Sequence, residues 1–174
     1  LKIDRTLFDI YNFDLDNSKM LCDSEKTDDC SILQINDAKN YVRYHLVTLM
    51  EQIRQSDTDN KLKSIILGCT HYPYMTQEIS EILKELYDYK GKDGEYLYRN
   101  SMAADIKLID PAVDTAKELH EHLKDKSLFN PNGNMQESEF YISVPNRDNA
   151  NNTIDEQGRF PYDYKYGRNA HEIQ

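Results

Sequence analysis

The segment LKSIILGCTHYP at positions 62–73 constrains the fold of this chain more than any other. Its aliphatic run at 65–67 predicts a buried strand, because β-branched and aliphatic residues favour strands and Gly68 ends the run. Pro73 suits the first position of a helix, since its φ is fixed and it has no N–H to lose. The Cys-Thr-His sequence at 69–71 therefore falls on a tight strand-to-helix turn. Open α/β sheets place their ligands and chemistry at such turns.

Three side chains of different chemistry meet on this turn. Cys69 near a helix start would feel the positive end of the helix dipole, which favours the thiolate over the thiol. Backbone N–H groups of the same turn can hold a carboxylate. Thr70 adds a hydroxyl, and His71 adds a proton donor or acceptor. A structural role is the alternative, with Cys69 as a small buried hydrophobe and His71 capping the helix.

Strand and helix patterns alternate around the turn. Asp37 is a suitable N-cap for a helix with a broad apolar face. The alternation favours an α/β fold with a parallel sheet flanked by helices and right-handed crossovers. The predicted elements are helix 38–55, strand 64–67, helix 73–87, strand 106–109 and helix 113–124, and a strand at 140–144 could close the sheet.

Three regions are expected along the chain. Residues 1–36 form an irregular, acidic linker or insertion, in which the alternation at 7–16 hints at an extended segment. Residues 37–145 form the α/β domain that carries the Cys-Thr-His motif. Residues 146–174 form a loop and an aromatic tail. A chain of 174 residues fits about one domain with appendages.

Composition excludes several classes of function. A net charge of −10 argues against nucleic-acid binding, which favours basic patches. No apolar run is long enough to cross a bilayer, so we expect no membrane partner. The three cysteines are odd in number and irregularly spaced, which predicts no disulfide framework and favours the cytoplasm. His120 and His122 are two residues apart, a spacing at which helical side chains do not face each other, so we expect no metal there.

Two segments resemble one enzyme family. LGCTHYP at 67–73 resembles the second cysteine motif of the cofactor-independent glutamate racemases, and IKLIDPAVDTA at 106–116 is similar to the segment that follows it there. The similarity runs over about residues 37–128 in the same order. His71 points to glutamate, since relatives that act on aspartate tend to carry Glu after the Cys-Thr pair.

The resemblance implies racemisation by two cysteines on opposite faces of the α-carbon, without cofactor or metal. Cys69 would be the catalytic thiol that acts on L-glutamate. Thr70 would help to hold the substrate, and His71 would bind substrate and assist Cys69 with its proton. The implied fold is a flavodoxin-like, three-layer domain forming one half of a two-domain racemase. Such an enzyme supplies D-glutamate for peptidoglycan in the bacterial cytoplasm.

The chain departs from the family in one respect. The Ala-Cys-Asn-Thr motif that holds the first cysteine is absent. Cys22 and Cys30 lie in acidic contexts, where neighbouring carboxylates disfavour a thiolate. We therefore expect a C-terminal part of a racemase that is inactive alone. Its partners would be glutamate and a missing N-terminal domain with the second cysteine, and a homodimer is left open.

Other functions remain as alternatives. The same turn would serve a racemase of aspartate or another amino acid, or a domain that binds a carboxylate without catalysis. A cysteine phosphatase needs an Arg a few residues after its cysteine, and positions 72–77 supply none. A cysteine hydrolase needs a base held by a third group, and His71 so close to Cys69 is not an obvious partner.

Overall fold

The computed structural model describes residues 3–24, 29–56, 58–141, 143–161, 164 and 171–173. The chain divides into two compact units, residues 1–117 and 118–174. The helices are α1 (Phe8–Tyr11), α2 (Ala38–Gln55), α3 (Thr76–Asp88) and α4 (Pro111–Asp125); the strands are β1 (Met20–Cys22), β2 (Leu33–Ile35), β3 (Leu62–Ile66) and β4 (Met102–Ile109). Among the described residues, no helix combines the length and apolarity that crossing a membrane requires.

Helix α2 forms over the predicted residues because its start is capped and one of its faces is apolar. Asp37 is extended and accepts a hydrogen bond at 2.9 Å from the backbone N–H of Asn40. The buried face carries Leu46, Val47 and Met50. The cap satisfies one of the N–H groups that every helix start leaves without a partner.

Strands β3 and β4 pair in parallel and carry the core on one face. Ile65 lies opposite Leu108 and Ile66 opposite Ile109. Ile65 packs against the core and Leu67 is 4% exposed, whereas Ile66 is 66% exposed. The prediction that the whole run 65–67 is buried is therefore wrong for Ile66. Successive side chains of a strand point to opposite faces, and among the described residues the face that carries Ile65 is the one packed against the core.

The predicted α/β class with a parallel sheet is confirmed. Helix α3 packs on β4, α2 packs on α3, and α1 packs on α2. The sheet is small, with two strands in the described part of the unit, and it is compatible with part of a flavodoxin-like racemase domain. The core consists of Tyr11, Leu46, Val47, Met50, Leu67, Ile79, Ile82, Leu83, Leu86, Tyr98 and Met102.

Several element bounds differ from those predicted. β3 begins and ends earlier than 64–67, β4 begins four residues before 106, and α4 covers 111–125. The strand expected at 140–144 does not form at residues 140, 141, 143 and 144, and Ile142 lies outside the described residues. Phe140 and Tyr141 are more than 80% exposed, and a strand without a paired neighbour is not stable in water.

The described part of the N-terminal region contains short helices and strands. Residues 8–11 form α1 instead of an extended segment, because Leu7, Ile10 and Tyr11 reach the core at helical spacing. Tyr11 is 2% exposed. The region limits 1–36, 37–145 and 146–174 stay a prediction.

A disulfide closes the antiparallel hairpin of β1 and β2, in which Met20 lies opposite Ile35. Cys22 and Cys30 are bonded, with Cα atoms 5.4 Å apart. The odd number and irregular spacing of the cysteines predicted no disulfide framework, and they gave no indication of this one bond. The pairing of the two strands brings together residues whose spacing in the sequence gives no signal of it.

The second unit, residues 118–174, contains the end of α4, turns and irregular chain in its described part. One turn joins Asp155 to Arg159, and in it the backbone N–H of Arg159 donates a hydrogen bond to Oδ1 of the Asp155 carboxylate at 2.8 Å. Gly158 in this turn has φ of 79°, and a Cβ there would lie 2.3 Å from a guanidinium nitrogen of Arg147. The positive φ favours glycine here, whereas the flexible end of the Arg147 side chain could move aside.

Candidate functional site

The Cys-Thr-His turn lies directly after β3, at the carboxyl edge of the parallel pair. The N–H of Leu67 continues the ladder by donating to the carbonyl of Ile109 at 2.9 Å. The carbonyl of Cys69 then accepts a hydrogen bond from the N–H of Tyr72 at 3.0 Å, which closes the turn. The buried side chain of Leu67 anchors the turn, and the three residues after Gly68 reach the surface.

The helix after the turn begins later than predicted. Tyr72–Met75 form a 3₁₀ helix with Pro73 in its first turn, and α3 begins at Thr76. His71 precedes the 3₁₀ helix, but its side chain makes no capping hydrogen bond. Cys69 is exposed. The structural alternative, a buried cysteine beside a capping histidine, is therefore wrong on both residues.

The turn brings the predicted site residues together. Sγ of Cys69 lies 3.8 Å from Nδ1 of His71, within reach of a long hydrogen bond to sulfur. Thr70 lies between them and is exposed. In the part of the chain that the structure describes, no hydrogen bond occupies the backbone N–H groups of residues 69–71. The turn therefore offers a thiol, an imidazole, a hydroxyl and backbone donors for an anion.

Asp110 ends the neighbouring strand at the same edge of the sheet. Its Oδ1 accepts a hydrogen bond from the N–H of Ala112 at 2.9 Å, and its carbonyl accepts one from the N–H of Val113. Pro111 is the first residue of α4. Asp110 is therefore the N-cap of α4, and its carboxylate supports the edge of the site structurally.

Two aromatic side chains beside the turn were not identified from the sequence. Tyr72 is 52% exposed and Tyr74 is 83% exposed. Both side chains are at the surface beside the Cys-Thr-His turn. Two tyrosines on either side of Pro73 in the motif are the sequence signal that could have marked them.

The chain is similar to proteins named glutamate racemase. The glutamate racemase of Thermoanaerobacter sp. (strain X514) is 29% identical over 94 residues, which cover 54% of this chain and 26% of the relative. That of Carboxydothermus hydrogenoformans is 28% identical over 83 residues, covering 48% and 23%. "Glutamate racemase 3" of Caldanaerobacter subterraneus subsp. tengcongensis is 28% identical over 85 residues, covering 49% and 24%.

The similarity reaches only part of each protein. The matched region spans about a quarter of the length of these relatives. No family model matches the chain. No solved structure matches it either. The resemblance inferred from the two motifs is confirmed as a distant similarity to part of a racemase.

Proposed function

We propose that this chain supplies one half of the active site of a cofactor-independent glutamate racemase. Cys69 is one of its two proton-transferring thiols. The observation that carries the proposal is the turn itself: an exposed Cys69 lies 3.8 Å from Nδ1 of His71 at the carboxyl edge of a parallel sheet. The similarity to proteins named glutamate racemase supports the same assignment.

The chemistry of the turn fits removal of a proton beside a carboxylate. The Cys69 thiolate takes the α-proton from one face of the substrate, and a second thiol returns a proton to the other face. Backbone N–H groups and the Thr70 hydroxyl hold a substrate carboxylate, which positions the α-carbon near the sulfur. His71 exchanges a proton with Cys69 and so returns the thiol to the state that the reverse direction needs.

The second thiol must come from another part of the enzyme. The other cysteines of the chain, Cys22 and Cys30, are bonded to each other and are not available as bases. All three site residues are exposed, so this turn covers a substrate from one side only. We therefore propose a missing N-terminal racemase domain as the partner that covers the other side, and no racemase activity of this chain alone. The proposed cellular role is supply of D-glutamate for peptidoglycan in a bacterial cytoplasm.

Deuterium uptake from heavy water at the α-carbon tests the proposal. The assay uses the longest natural polypeptide that contains this chain, with L- and D-glutamate as separate substrates. We expect uptake with inversion from both enantiomers, and loss of turnover in Cys69→Ser. The matched control is the double variant Cys22→Ser/Cys30→Ser, which keeps Cys69 and should keep turnover.

Each other outcome has a defined meaning. Uptake from aspartate alone would keep the two-thiol mechanism and overturn glutamate as the substrate. Full turnover in Cys69→Ser would overturn the role of this thiol. No uptake by a folded protein that still binds glutamate would overturn the enzyme and favour a carboxylate-binding domain.

A further inference from the structure

The β1–β2 hairpin brings three metal-ligating side chains together at one end, away from the Cys-Thr-His motif in sequence. Cys22 is the last residue of β1, Asp23 follows it, and Cys30 lies shortly before β2. One ligand atom from each, two sulfurs and a carboxylate oxygen, all lie within 4.8 Å of one another. The Cα atoms of the two cysteines are 5.4 Å apart.

We propose that these three residues, once the disulfide is reduced, bind a thiophilic divalent cation such as Zn²⁺. A tetrahedral Zn²⁺ with Zn–S distances of about 2.3 Å and Zn–O distances of about 2.1 Å holds its ligand atoms roughly 3.6–3.8 Å apart. Once the S–S bond is broken the two sulfurs must move apart to reach that spacing, and a carboxylate oxygen of Asp23 already lies within 4.8 Å of both. Two thiolates and one carboxylate leave the fourth position to water.

Hydrogen bonds around the cluster already orient the ligands. The N–H of Ser24 donates to Sγ of Cys22 at 3.3 Å, a bond that stabilises the negative sulfur of a bound thiolate. The N–H groups of Ser31 and Ile32 donate to Asp23 at 2.8 and 3.0 Å. Both of these bonds hold the Asp23 carboxylate, one oxygen of which lies within 4.8 Å of both sulfurs.

The cationic side chain of Arg5 holds the hairpin loop on the side of Cys30. The guanidinium of Arg5 donates to the carbonyl of Cys30 at 3.1 Å and to Asp29 at 3.0 Å. Arg5 also fixes the backbone of Cys30 when the covalent link to Cys22 is broken.

The disulfide-bonded and metal-bound states exclude each other. A cellular dithiol reduces the disulfide: the S–S bond of the protein accepts two electrons and two protons, and the dithiol becomes a disulfide. On metal binding each of the two thiols then releases its proton to solvent and forms one bond to Zn²⁺. Paired cysteines in reducing compartments more often bind metal than form lasting disulfides.

Cobalt titration of the full chain tests the proposal, with Co²⁺ as a coloured probe for Zn²⁺. The reduced, metal-free chain should show thiolate-to-cobalt charge-transfer bands and tetrahedral d–d bands that saturate at one Co²⁺ per chain. Zn²⁺ should displace them. The oxidised chain should show no such bands. Far-UV circular dichroism before and after reduction reports whether the fold is kept.

Variants assign the ligands. Cys22→Ser and Cys30→Ser should abolish the charge-transfer bands, and Asp23→Asn should weaken Co²⁺ binding at least about tenfold. Cys69→Ser is the matched control and should leave the titration unchanged. Absence of thiolate bands in the reduced wild-type chain would overturn the proposal. So would bands that survive in Cys22→Ser or are lost in Cys69→Ser.

Discussion

Two adjacent residues at the end of β3 should differ sharply in their contribution to stability. Leu67 is 4% exposed and belongs to the core, whereas Ile66, with a side chain of equal size, is 66% exposed. The substitutions Leu67→Ala and Ile66→Ala remove similar numbers of carbon atoms from neighbouring positions. The pair therefore isolates burial as the variable, and each variant is the control for the other.

The expected costs follow from these exposures. Truncating a buried leucine to alanine costs about 2–5 kcal/mol, because the lost transfer free energy adds to a cavity. Ile66 has only about a third of its surface buried, and full burial of such a side chain contributes about 1.5–3 kcal/mol. Ile66→Ala should therefore cost about 0.5–1 kcal/mol.

Urea unfolding followed by circular dichroism measures the difference. With a slope of about 2 kcal/mol/M, Leu67→Ala should lower the midpoint by about 1–2.5 M and Ile66→Ala by about 0.5 M or less. Equal midpoints for the two variants would refute the reasoning, since the face that Ile66 occupies would then have to be covered. A larger effect of Ile66→Ala would reverse the assignment of the two faces of β3.

Three further predictions concern ion pairs, acid stability and thiols. Arg43 is 8% exposed and donates two hydrogen bonds to Glu85, at 2.6 and 3.1 Å, so Arg43→Ala should lower the free energy of unfolding by about 1–3 kcal/mol. The control is Lys39→Ala, which removes the exposed ion pair with Glu81 and should change the thermal midpoint little. Burial raises the pKa of Glu51, but hydrogen bonds from Arg54 and Tyr98 outweigh it and hold this pKa below its ordinary value of 4.5. The Glu51 carboxylate therefore stabilises the fold above about pH 4.5, and this contribution is lost as the pH falls through the lowered pKa. In Glu51→Gln the free energy of unfolding, measured with urea, should depend less on pH in that range. Iodoacetamide should add one group to the native chain, at Cys69, and also modify Cys22 and Cys30 after reduction and unfolding; mass spectrometry that finds Cys22 labelled in the native, unreduced chain would contradict the disulfide.

The sequence predicted what depends on local patterns. Helix α2 lies where its apolar periodicity and the Asp37 cap indicated, and the turn at Cys69 follows its strand as expected. Asp110 caps α4 from the position just before Pro111, where a capping residue followed by proline is favoured. In each case the signal lies within a few residues of the feature, so no knowledge of distant neighbours was needed.

The errors concern features that distant parts of the chain decide. Whether Ile66 is buried depends on what covers the second face of the sheet, and its own side chain is as apolar as that of Leu67. The Cys22–Cys30 bond depends on the pairing of β1 with β2. The start of α3 at Thr76 is the exception, because it is set locally by the 3₁₀ helix Tyr72–Met75 that precedes it. Tertiary context decides the burial of Ile66 and the disulfide, and short-range propensity does not record it.

The parallel pairing of β3 with β4 has a consequence for the order of folding. The two strands are separated in the sequence by the turn, α3 and a long loop, so they meet only after that whole segment has collapsed. Contacts of such large sequence separation form slowly, because the entropy of loop closure is lost before the pairing stabilises anything. Ile82 and Leu86 on α3 are buried in the core on which the strands close. We therefore expect the Cys-Thr-His turn to take its final shape late, on a helix that has already docked.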